Sequence, residues 1–76
     1  MDANNNKDVC HAILGLALTY RMQGKYEEAL KEIYNLQVFF QIIDLPDVKA
    51  SSLILNGSIL RLMGKYDQAL DVYWQV

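Results

Sequence analysis

Residues 21–30 read RMQGKYEEAL and residues 61–70 read RLMGKYDQAL, one ten-residue phrase written twice in a chain of 76. A slide of 40 residues lays Arg21 on Arg61, Gly24 on Gly64, Lys25 on Lys65, Tyr26 on Tyr66, Ala29 on Ala69 and Leu30 on Leu70. Similar residues extend the match outward: Ile13 meets Leu53, Leu14 meets Ile54, Glu27 meets Asp67, Tyr34 meets Trp74 and Leu36 meets Val76. Upstream of the glycines, Ile13, Leu16, Ala17 and Tyr20, then Leu53, Gly57 and Leu60, recur at three- and four-residue steps, the spacing of one helix face. Glycine accepts the left-handed conformation that closes many helices, so Gly24 and Gly64 mark C-termini. Downstream, Tyr26, Ala29, Leu30, Ile33, Leu36 and Phe40 form a second helical stripe. Each copy therefore reads as a helix hairpin turned by Gly-Lys-Tyr.

Between the copies lies IIDLPDVKA, residues 42–50. Asp44 is expected to cap a new helix, with Pro46 in its first turn, where amide hydrogens lack intrahelical partners anyway. The pattern predicts helices over about 8–23, 25–43, 46–63 and 65–76, an all-α fold with no strand. Residues 1–6 are expected to be a loose N-terminal tail and residues 7–76 a single domain, with repeat one over 9–45 and repeat two over 46–76. Val76 aligns with Leu36, whereas the earlier helix is expected to continue to Ile43, so the last helix reads as truncated.

Composition fits one small folded domain. Apolar residues make up 53% and charged residues 21% of the chain, and the net charge is −2, a globular balance rather than a disordered one. The seven basic residues are outnumbered by nine acidic ones, which argues against direct contact with nucleic acid. The single Cys10 rules out an internal disulfide and points to a reducing, cytoplasmic setting. The opening MDANNNKD is polar and acidic at Asp2, so no secretory leader is expected. The apolar runs Ala12–Leu18 and Val38–Ile43 are far shorter than the roughly 20 residues that span a bilayer.

On these residues the repeat resembles the tetratricopeptide repeat, with aliphatic or aromatic, small and tyrosine positions on the first helix and alanine followed by a larger apolar residue on the second. The first copy supplies Ile13, Leu16, Ala17, Tyr20, Ala29 and Ile33; the second supplies Leu53, Asn56, Gly57, Leu60, Ala69 and Tyr73. The resemblance covers about residues 9–76 and implies antiparallel hairpins stacked as a short right-handed solenoid of about four helices. Ala17, Gly57, Ala29 and Ala69 would stand where helices approach closely. The family's usual period is about 34 residues, and the longer period here is expected to lengthen the second helix through VFFQII. Longer repeats of this kind also resemble the sensor arms of peptide-responsive regulators.

No stretch carries a recognisable reaction. Cys10 and His11 are adjacent, so their side chains diverge by about 100° on a helix, and with no other Cys or His they cannot assemble the three or four ligands of a metal site. Glu27, Glu28, Asp67 and Asp71 lie on charged helix faces. Gly-Lys-Tyr lacks the spacing of a phosphate-binding loop. The expectation is a protein that is not an enzyme, with no catalytic residue, metal or cofactor.

The resemblance implies that the first helix of each hairpin lines a groove for a peptide or protein partner. The residues off the packing stripe there are His11, Leu14, Leu18, Arg21 and Met22 on the first helix, and Ser51, Ile54, Ser58, Arg61 and Leu62 on the third. Arg21 and Arg61 have two open roles, pairing with a carboxylate or facing the carbonyl end of their own helix. At the other end, Tyr73, Trp74 and Val76 are expected to lack cover. That leaves three readings: a scaffold that binds a protein or peptide, a fragment or short relative of a longer repeat protein; a homo-oligomer or helix-swapped dimer built through the uncapped end; and a sensor arm.

Overall fold

The structure, a computed structural model, describes residues 3–75, with side chains from Asn6 onward. Four helices follow one another: α1 (Ala3–Met22), α2 (Tyr26–Phe40), α3 (Pro46–Leu62) and α4 (Tyr66–Tyr73). They form two antiparallel hairpins, α1 with α2 and α3 with α4, and the second docks on the first through α3. The body measures 39 × 26 × 15 Å. Every helix keeps exposed residues along one face.

Both hairpins turn in the same way. Gly24 and Gly64 have φ of 76° and 79°. The amide of Gly24 donates to the Arg21 carbonyl at 3.0 Å and that of Lys25 to the Tyr20 carbonyl at 2.8 Å; Gly64 and Lys65 repeat this onto Arg61 and Leu60 at 3.0 and 2.8 Å. This pair of bonds satisfies carbonyls that a helix end leaves orphaned, and it requires a left-handed residue at the glycine position. The carbonyl of the same lysine then accepts the first four-residue-step hydrogen bond of the next helix, from the Ala29 amide onto Lys25 at 3.1 Å and from the Ala69 amide onto Lys65 at 3.0 Å. One residue thus closes one helix and opens the next. A Cβ at Gly24 or Gly64 would meet nothing within 4 Å, so alanine there costs only backbone strain, about 1–2 kcal/mol. Urea unfolding of Gly24→Ala and Gly64→Ala should show that loss; variants as stable as the parent would mean that the positive φ is not held in solution.

The core has two parts. Ala17, Ala29 and Ile33 of the first hairpin enclose Leu55 and Ile59 of α3, with Leu14, Tyr20, Tyr26, Leu30 and Met63 packed around them. Cys10 and Leu36 meet Val48 at the other end of α3, beside Ile13, Phe39 and Phe40. The α1 stripe therefore runs through Cys10, Leu14 and Ala17 and not through Leu16, which is exposed. Ile13, Ala17 and Tyr20 are packed as expected, and because the helix serves two neighbours, α2 and α3, its buried face widens to Cys10 and Leu14.

Four boundaries differ from expectation. Helix α1 begins at Ala3, so residues 3–6 are helical rather than a loose tail. The first amides of a helix have no intrahelical acceptor, which makes the first turn the place where asparagine side chains compete least with the backbone. Helix α2 stops at Phe40, where the amides of Ile42 and Ile43 both turn back to the Phe39 carbonyl at 2.9 Å. Asp44 is not the cap of α3. That position falls to Leu45, at φ −129° and ψ 75°, without a side-chain hydrogen bond, because Pro46 takes the first helical position and biases its predecessor toward extended backbone. Finally α4 ends at Tyr73, and Val76 lies outside the described residues.

Candidate protein-binding surface

The small residues of the repeat do different work in its two copies. Ala17 and Ile33 are fully buried in one cluster. Their counterparts 40 residues on are Gly57 and Tyr73, where the smaller residue faces the larger ring. A Cβ on Gly57 would stand 2.7 Å from Tyr73 Cζ and 2.8 Å from Cδ1, and closer still to Cε1. The expectation that Tyr73 lacks cover is therefore corrected: the ring is half-buried against Gly57. Trp74, in contrast, is 85% exposed.

The groove residues separate into three groups. His11, Leu18, Met22, Ser51, Ile54, Arg61 and Leu62 are exposed. Leu14 is not among them. It packs into both core clusters, because α3 leans on that side of α1. Ser58 is buried, and its hydroxyl accepts a hydrogen bond from Arg21 Nη1 at 2.6 Å. Through this bond the guanidinium ties α1 to α3 across the hairpin boundary, while Arg21 also stands in the last turn of its own helix. Sequence reasoning had no means of finding this pair, since its members are 37 positions apart and neither residue type is unusual on a helix.

Other polar groups are satisfied locally. Ser52 is buried and donates to the Lys49 carbonyl at 2.8 Å, and Thr19 donates to the Gly15 carbonyl at 2.9 Å. Cys10 and His11 do diverge: the thiol is fully buried and the imidazole is exposed. Burial raises the Cys10 pKa above the ordinary thiol value by penalising the thiolate. The stability this carries is present below the usual thiol range and declines as pH rises through it, since the unfolded chain releases the proton first. Cys10 should accordingly react with a disulfide reagent far more slowly in the native chain than in urea. Equal rates at one pH would show the thiol to be accessible.

A second depression went unseen in the sequence. Leu30, Ile33, Tyr34 and Gln37 of α2, Asn56 and Leu60 of α3 and Gln68 of α4 line a cleft of ≈ 270 Å³. A larger one of ≈ 520 Å³ lies among Glu27, Glu28, Leu30 and Lys31 in the first turns of α2, where the charged side chains face water. Among the described residues no three His, Cys, Asp or Glu side chains gather as a metal site. No helix among them is long and apolar enough to cross a membrane.

These features define a class, the stacked helix hairpin whose outer faces are available to other polypeptides. The family model of the tetratricopeptide repeat matches residues 12–37, which lie within the first hairpin. No curated protein and no solved structure matches the chain.

Proposed function

We propose that the chain is a non-catalytic, cytoplasmic protein-interaction module, a fragment or short relative of a longer repeat protein, in which residues 46–76 form a second tetratricopeptide repeat. It holds an apolar peptide or partner segment along the outer sides of α1 and α3. The observation that carries this reading is the exposure of Met22 at 77%, Leu62 at 49% and Leu18 at 40% on the two first helices, which the Arg21–Ser58 bond holds side by side. An amphipathic segment laid there would cover apolar surface that water otherwise wets. Selection of a random-peptide display library against the chain should enrich apolar sequences that no longer bind Met22→Asp or Leu62→Asp. Enrichment indifferent to both substitutions, or none at all, would count against the groove.

Trp74 supports a second reading, pairing of two copies through the α4 end, because so large an exposed ring favours burial. Sedimentation equilibrium distinguishes the two. The groove reading expects a monomer before and after Trp74→Glu, whereas a dimer that this substitution dissociates would favour pairing.

A further inference from the structure

Helices α2 and α4 each pack on α3, but among the described residues they do not meet each other. The space between them is the cleft of ≈ 270 Å³, which shares no residue with the groove along α1 and α3. Ile33 and Leu60, both buried, form its floor, and Tyr34, Gln37, Asn56 and Gln68 stand around the rim. Its walls come from both hairpins and lie wholly within residues 30–68.

Asn56 is the residue that the repeat does not explain. The repeat pattern has leucine before the small residue of the first helix. The first copy keeps it, as Leu16 before Ala17, whereas the second has Asn56 before Gly57. The Asn56 side chain is half-buried, and none of the side-chain hydrogen bonds among the described residues reaches it. Drawing a carboxamide partly out of water without a partner costs stability that leucine would not. Gln37 and Gln68 bring two more carboxamides from the helices on either side, and they too stand outside those bonds. A break in the local pattern with no compensating contact is where a functional site is expected.

We infer that the cleft is a binding site for a small, uncharged planar ring that bears an amide group. A carboxamide both donates and accepts hydrogen bonds, so three around one space suit a ligand that does both, as a primary amide or a lactam does. Among the described residues no charged side chain lines the cleft, and an ion entering it would lose water without gaining a counter-charge. The aliphatic floor and the Tyr34 ring, 66% exposed, offer apolar contact to the faces of a ring. Volume sets the size. Pockets for drug-sized ligands run to about 300–1,000 Å³, so ≈ 270 Å³ takes one ring with its substituent and leaves no room for a helix. This site does not rest on the groove.

The test titrates the whole isotope-labelled chain with benzamide, read by two-dimensional NMR. The side-chain amide signals of Asn56, Gln37 and Gln68 should shift saturably, and benzoate, the charged analogue, should bind about tenfold more weakly or less. Asn56→Leu, which writes the first copy's residue into the second, should weaken benzamide binding about tenfold while leaving the urea midpoint of the free chain unchanged or higher. A lower midpoint would show that Asn56 serves the fold, and it would overturn the site. So would shifts that do not saturate, or benzoate binding as well as benzamide. Acetylglutamine amide offers carboxamides without a ring, and it should bind more weakly than benzamide; equal affinity would overturn the ring and give the cleft to a side chain of a partner polypeptide. The groove variant Met22→Asp should bind benzamide as the parent does, so failure of one surface leaves the other standing.

Discussion

Replacing Ile59 by alanine should cost the fold about 2–5 kcal/mol, as expected of one of the largest fully buried side chains. A domain of this size has roughly 0.05–0.15 kcal/mol of stability per residue, so such a loss removes much of the total. Ile59 is fully buried, and it reaches from α3 into the cluster of Ala17, Ala29 and Ile33. The two alanines cannot move to fill a hole, and Ile33 is held by its own hairpin. The cavity therefore stays open between the hairpins, where stacked repeats derive their coupling. Urea unfolding followed by far-ultraviolet circular dichroism should show a lower midpoint, whereas Ile54→Ala, at an exposed position of the same helix, should change it little. Equal, small effects would mean that α3 does not dock as described.

Gly57→Ala should also destabilise, by about 1–3 kcal/mol through overpacking, although alanine is the better helix former by about 1 kcal/mol. Steric conflict decides the sign. The added methyl would fall within 2.8 Å of Tyr73 ring atoms, and a ring cannot yield as the end of a flexible chain does. The remedy is written in the first hairpin, which uses Ala17 with Ile33 where the second uses Gly57 with Tyr73. Tyr73→Ile alone should destabilise by leaving a void over the glycine, and the double variant should recover most of both losses. A double-mutant cycle with no coupling would show that the two positions do not touch.

The turns were the most legible part of the fold, because only glycine fits their left-handed position and Gly-Lys-Tyr occurs twice. The helices were legible in number and type for the same reason, since every apolar period either ends at a glycine or follows Pro46. Facing was harder. Leu16 and Leu14 both fit a helical stripe, and only the direction from which α3 approaches makes Leu14 the packed residue. Ser58 illustrates the same limit: a serine near an exposed arginine reads as surface until tertiary packing buries it. Helix ends set by several weak backbone bonds, as at Phe40, leave no side-chain signature. The candidate surface was legible as a pair of helices carrying extra apolar residues; the cover that α3 gives to Leu14, and Arg21 to Ser58, depends on contacts between residues far apart in the chain.

The lysine that joins the helices in each hairpin has a further consequence. Its amide belongs to the helix behind it and its carbonyl to the helix ahead, while its side chain stands in water. In deuterated solvent the amides of Lys25 and Lys65 should then exchange at the pace of the helices, although they sit at the tips of exposed loops. Each lysine backbone is thus held from both sides, by one bond to the helix behind and one from the helix ahead. The ammonium group has no part in this wiring, and modification of either lysine would alter the charge of a hairpin tip without loosening its turn.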